Sequence, residues 1–319
     1  MRMNPIVKKD IRVQSRSMRI CWSVFAYEAI MALVFFVAML VIQENSRYSV
    51  NNIYNSIIGL YPVLGVTQLI ILGVVVPIRT ASSISGEKER QTFDIMMTTS
   101  MTPFSIILGK VMTAVVQDVF FVAASMPVMA LAFVIGGLPW SYLLWFFGVA
   151  LLVSLFSASI GILCSSLCKK SITAVIMSYG IYVVFFLGTL LPIGIAQYMY
   201  MVSGYASAMS TENSLSYLAL LLNPAVYLLE FFVGVMTGES MVGTLVSLGT
   251  TKKGIMTFVT SGHWWMILST ILFVAVSFLF LWLASKRINP IKRRAKKAMP
   301  QRMEPPKMEP PKMAQGNQL

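Results

Sequence analysis

The sequence predicts an all-α integral membrane protein of six transmembrane helices, with an N-terminal amphipathic interfacial helix and an extracellular re-entrant hairpin before the last span. Three observations predict it. The 319 residues are 57% hydrophobic and 12% charged, about half the charge of a typical soluble domain, and the mean hydropathy is +0.75. Apolar runs recur along the chain, each close to the ~20 residues that cross ~30 Å of hydrocarbon as a helix. The ~10-residue alternating segments of a membrane barrel are absent. The net charge of +13 comes from basic residues flanking apolar runs, the arrangement of topology signals rather than of a nucleic-acid face.

Residues 1–19 form the first element. Asn4 is a candidate N-cap and Pro5 suits the first helical position, where its missing N–H is no loss. Lys8, Arg12, Arg16 and Arg19 fall on one side, and Val7, Ile11 and Met18 on another. Such a basic amphipathic helix lies among lipid headgroups, unless its charges serve only as a solvated topology signal. The transmembrane domain then occupies residues 20–284. Its first span runs from about Ile20 to Ile42 and contains Glu28; no small-residue cleavage site follows it, so it is expected to be retained. Span two runs from about Ile57 to Ile78, interrupted by Pro62 and Pro77.

A compact polar block follows, Arg79 to Lys110, conspicuous in so apolar a chain. The loop proper is 79–105. Span three starts on Thr102 as N-cap and Pro103 as first helical residue. It passes Lys110, expected to snorkel to the interface, and carries Gln117 and Asp118 well inside before ending near Ile135. Gly136-Gly137-Leu138-Pro139 reads as a tight turn into span four, which ends near Cys168. Lys169 and Lys170 separate it from span five, Ser171 to about Ala196. Residues 197–263 form an extracellular loop whose apolar part, 215–235, is interrupted by Asn223-Pro224 and Glu230. Trp264 and Trp265, placed as an interfacial belt, open the last span to about Ala284. The tail, 285–319, is basic and proline-rich, with a tandem Met-Glu-Pro-Pro-Lys, and reads as disordered chain against anionic lipid.

Charge decides the topology. With six spans and both termini inside, 22 of the 25 Lys/Arg are cytoplasmic, all but Arg47, Lys252 and Lys253. A seventh span at 215–235 would carry the tail's ten basic residues outside, against the positive-inside bias. That segment is therefore read as re-entrant or interfacial, which is tolerated where protein buries the backbone.

The catalytic signatures are missing. No stretch fits the phosphate-binding loop Gly-x-x-x-x-Gly-Lys-[Ser/Thr]; Leu108-Gly109-Lys110-Val111 has only its end. The single histidine, His263, permits neither a His-Glu-x-x-His zinc site nor a serine triad, and no Gly-x-Ser-x-Gly elbow occurs. Cys164 and Cys168 share a helix face, but without a His or further Cys they read as buried small hydrophobes; no metal site and no disulfide framework are expected. Methionines are core filling. Carboxylates inside a span cost on the order of 2.5–3.5 kcal/mol. Glu28 and Asp118, with Gln117, therefore either line an inward-facing substrate path, or the two carboxylates are hydrogen-bonded to neighbouring helices or near the interface, paired with Lys110 or Arg19.

Residues 83–94, Ser-Ile-Ser-Gly-Glu-Lys-Glu-Arg-Gln-Thr-Phe-Asp, followed by Thr98-Thr99, Pro103 and Ile107-Leu108-Gly109-Lys110, resemble the ABC-2 type permease family, the membrane subunits of one class of ATP-driven exporters. The opening Asn4-Pro5-Ile6-Val7-Lys8-Lys9-Asp10 is similar to that family's first helix. Ser100 departs from the proline frequent in bacterial members. The resemblance implies a cytoplasmic coupling helix docked in a groove of a separate ABC ATPase subunit, which would bind ATP and Mg; no cofactor is expected in this chain. It also implies pairing with a second permease copy or paralogue in the cell membrane. The contact set would be Ser85, Gly86, Glu87, Lys88, Glu89, Arg90, Phe93, Asp94, Met96 and Met97. The residues themselves support a short helix with a charged rim and Phe93, Met96 and Met97 as apolar anchors, the alternative being a solvated loop. Two other readings stay open: a proton-coupled secondary transporter using Glu28 and Asp118, although no internal repeat is found, and a non-transporting assembly or sensor subunit.

Overall fold

A computed structural model describes residues 7–8, 10, 12, 17–46, 57–93, 102–195, 198, 217–244 and 264–288. Among these, helix α1 spans Met18–Ser46, α2 Leu60–Glu89, α3 Pro103–Gly136, α4 Trp140–Leu167 and α5 Ser171–Gly188, apolar helix continuing to Ile195. A short 3₁₀ turn at Ala219–Leu222 leads into α6, Pro224–Thr237, and α7 covers Trp264–Ile288. Six helices, α1 to α5 and α7, are long and apolar enough to cross a membrane, as the apolar runs predict. The tail beyond Ile288, His263, and most of residues 1–19 lie outside the described residues.

α4 is the centre of the bundle, with more of its apolar stretch buried than any other span. Its second half carries small residues, Ser157 to Ser166, all buried, which lets other backbones approach closely. α2 and α4 run side by side in the same direction. A Cβ on Gly161 would lie 2.0 Å from Thr80 Oγ1 and 3.1 Å from the amide nitrogen of Ala81, so only glycine permits this approach.

The boundaries follow from local chemistry. The Thr102 side chain accepts from the Ser105 amide at 3.3 Å and Pro103 follows as the first helical residue. At the far end Gly137 adopts φ 63°, the left-handed conformation that closes a helix and favours glycine. Asn223 caps α6: its Oδ1 accepts from the amides of Ala225 and Val226, while its Nδ2 donates to Phe186 O and Thr189 Oγ1 of α5. α6 has 14 residues, about 21 Å of helix, too short to cross hydrocarbon.

Three expectations are corrected. Pro62 and Pro77 do not interrupt span two; Pro62 falls in the first turn of α2, where no intrahelical donor is lost, and the helix continues through Pro77. The polar block is not a separate helix up to Glu89 but the last three turns of α2. Its buried residues, Val76, Pro77, Thr80, Ala81, Ile84 and Ser85, keep helical spacing against α4, so nothing ends the helix at Ile78. Of the tryptophan pair only Trp264 is exposed; Trp265 is fully buried against Tyr217, Leu220, Leu221 and Val242.

Candidate functional site

The end of α2 is fastened to three other helices by the charged residues that stand out in the sequence. Lys88 Nζ donates to the carbonyls of Ser165, Ser166 and Cys168 at 3.0, 2.6 and 3.0 Å. These are the orphan acceptors at the C-terminus of α4, where a cation is favoured by both hydrogen bonding and the helix dipole. Beside it, the Ser165 hydroxyl oxygen accepts from the amides of Ile84 and Ser85 at 2.9 and 2.8 Å. Glu89 reaches α5, its carboxylate accepting from the Ser171 hydroxyl at 2.7 Å and the Ser171 amide at 3.1 Å. Glu87 pairs with Lys110 of α3 at 2.7 Å, and Asp10, from the N-terminal segment, stands 3.5 Å from the same ammonium. Lys110 is thus held between two carboxylates rather than extended to the headgroups.

Two turns further in, Arg79 joins α2 to α3 and α4. Its guanidinium pairs with Asp118, which also accepts from the Ser154 hydroxyl, and it donates to Gln117 Oε1 at 3.1 Å. The Phe121 ring lies 4.9 Å from the guanidinium carbon. Asp118 is fully buried and the Arg79 side chain 29% exposed. The partner of Asp118 is therefore neither Lys110 nor Arg19. Eight helical residues separate Lys110 from Asp118, about 12 Å, and α2 lies alongside with Arg79 at the right depth. Glu28 does not join this group; it sits half-buried on α1 with one carboxylate oxygen unpartnered.

The turn after α2 is what the helix presents outward. The Arg90 amide bonds to Gly86 O at 3.1 Å and the Thr92 amide to Glu87 O at 3.0 Å, wrapping the chain around Gln91 at φ 57°. Arg90, Gln91 and Thr92 are exposed, and Phe93 is half-buried 5.8 Å below the Lys88 ammonium. Ser85 is fully buried, and Gly86 faces Ser171. Asp94, Met96 and Met97 lie outside the described residues.

A helix that spans the apolar bundle, emerges as a charged segment and is tied to three neighbours is suited to transmit force between a soluble contact and the spans. The chain matches the family model for the ABC-2 type transporter over residues 5–193, which takes in α1 to α5 and the whole polar block. It belongs to the ABC-2 type transporter family. No curated protein matches the chain. This ABC-2 chain is accordingly a multi-pass membrane protein and a transporter permease subunit, and subunits of this family work with ABC ATPase partners.

Sequence reasoning missed Arg79, Ser154, Ser165 and Ser171 as parts of the site. The one available signal was a permanent cation, Arg79, at the edge of an apolar run. No metal-ligating group of three or more His, Cys, Asp or Glu occurs among the described residues, and Cys21, Cys164 and Cys168 are free thiols. In this ABC-2 permease Lys88→Gln is expected to lose about 1–2 kcal/mol, because three carbonyls lose a charged donor. Thermal unfolding in lipid nanodiscs measures it, and an unchanged midpoint would show that the α4 terminus has other donors.

Proposed function

We propose that the chain is the permease subunit of an ATP-driven exporter in the cell membrane, with both termini cytoplasmic. Its polar block docks on a separate ABC ATPase subunit that binds ATP and Mg, and a second copy or paralogue completes the transport unit. The observation that carries this reading is the continuity of α2: one 30-residue helix, about 45 Å long, runs on through Pro77 and joins the exposed turn at Arg90, Gln91 and Thr92 to the bundle core. Motion imposed at the turn is then delivered to α3, α4 and α5 through Glu87, Lys88 and Glu89. The inner-leaflet lipid surface meets the N-terminal segment, where Lys8 and Arg12 are exposed. The chain's part is mechanical; ATP hydrolysis belongs to the partner.

The internal pairing of Glu87 and Glu89 changes how docking is tested. Charge reversal there would disturb the permease itself, since Glu87→Lys sets two ammonium groups together. Arg90→Glu is the better probe. It should abolish co-purification of the partner ABC ATPase, or uncouple its hydrolysis, while leaving the permease's unfolding midpoint within about 2 °C, the range of a surface substitution. Failure of the wild-type chain to hold any ATPase would refute the exporter reading.

A further inference from the structure

Two consecutive residues at the end of α2 hold the turn between α4 and α5 from both sides. The Lys88 ammonium sits on the carbonyls that end α4, those of Ser165, Ser166 and Cys168. The Glu89 carboxylate sits on the Ser171 amide and hydroxyl that open α5, where Lys170 supplies no side-chain cap. A cation at a helix C-terminus and an anion at a helix N-terminus each match the dipole they meet. α4 ends at Leu167 and α5 begins at Ser171, so the clamped turn is short, and its two lysines, Lys169 and Lys170, are exposed.

The clamp sets this turn beside the end of α2 and occupies the one exposed carboxylate there. The Arg90 guanidinium and the Lys170 ammonium both lie within electrostatic reach of Glu89, so Arg90 from α2 and Lys169 and Lys170 from the α4–α5 turn form one basic patch. None of the three makes a salt bridge with another described residue. Exposed charges are commonly just solvated. Two features set this patch apart: it is assembled from segments remote in sequence, and it is continuous with the exposed turn at Gln91 and Thr92.

We propose that the α4–α5 turn is a second contact for the ATPase, and that the face it meets is acidic, with carboxylates opposite Arg90, Lys169 and Lys170. The inference rests on the docking reading above and adds the chemistry of the partner surface. Through this contact the ATPase reaches the end of α4 and the start of α5 directly, not only by way of α2. Because Lys88 and Glu89 fix the spacing of the two contacts, one rigid face can meet both.

The test measures binding of the ATPase that co-purifies with the wild-type chain to full-length permease in nanodiscs. Lys169→Glu with Lys170→Glu should weaken it about tenfold or more, because attraction becomes repulsion. The unfolding midpoint should stay within about 2 °C, both side chains being exposed. Lys169→Gln with Lys170→Gln, expected to weaken binding about threefold, serves if the reversal does not fold. The loss should be equal in discs of phosphatidylcholine alone and in discs containing phosphatidylglycerol. A loss confined to phosphatidylglycerol discs would assign the lysines to anionic lipid and overturn the proposal. A carbodiimide, which activates a carboxylate for attack by an amine and leaves as the urea, should link Lys169 or Lys170 to an aspartate or glutamate of the ATPase. Links formed only within the permease would overturn it as well. Full-strength binding by the double variant, with Arg90→Glu still disruptive, would refute the second contact and leave the docking reading standing. A wild-type chain that holds no ATPase would remove both.

Discussion

Asp118→Ala is expected to destabilise the permease by about 3–5 kcal/mol, the range for stranding one member of a buried ion pair. The substitution leaves the Arg79 guanidinium among apolar helices without a counter-charge, its remaining contacts among the described residues being Gln117 and the Phe121 ring. It also strips the Ser154 hydroxyl of its acceptor. Partial exposure of the Arg79 side chain, 29% against 0% for Asp118, places the loss toward 3 kcal/mol, because water relieves part of the stranded charge. Arg79→Met combined with Asp118→Leu should recover most of the stability, since both charges leave together. Unfolding midpoints of the single and double variants in nanodiscs check this. Equal losses in both would mean that the pair is not what the single variant breaks.

Gly161→Val is expected to be comparably severe, on the order of 3 kcal/mol, at the upper end of overpacking effects. A Cβ at 161 already overlaps Thr80 Oγ1 at 2.0 Å and Thr80 Cβ at 2.9 Å, and the neighbouring obstacle is the amide of Ala81. Backbone cannot rotate away as a side chain can, so α2 and α4 must separate. The Lys88 bonds to the α4 carbonyls and the Ser165 bonds to α2 lie just beyond this contact, so they should loosen with it. Hydrogen exchange of the 84–89 amides should rise alongside the fall in midpoint. A variant with normal stability and unchanged protection would show that the helices are not in register through Gly161.

Local features were well legible in the residues. Thr102-Pro103 marks a helix start because a hydroxyl acceptor and a fixed φ act within one turn, and Gly137 marks a stop because the left-handed conformation disfavours other residues. Helices longer than the membrane were less legible. Ile78 looked like an end because apolarity stops there, yet helix formation depends on the buried stripe, and Thr80, Ala81, Ile84 and Ser85 continue it with small and polar residues. The candidate site was legible as a set of charges, but not in its internal pairings. Glu87, Lys88 and Glu89 were read for what they offer a partner protein, and the structure adds that each also has a partner inside the chain.

The sequence by itself determined that this protein is a six-helix membrane bundle with a polar block between its second and third spans. Those properties follow from run length against bilayer thickness and from charge against sidedness, quantities that add up residue by residue. Only the tertiary structure decided who pairs with whom: Arg79 with Asp118, 39 residues apart, and Lys88 with the end of α4, 77 to 80 residues apart. Periodicity specifies the face and depth of a side chain, not the neighbour that face meets. That is settled by which helices can approach closely, and here a single glycine at 161 brings α2 against α4.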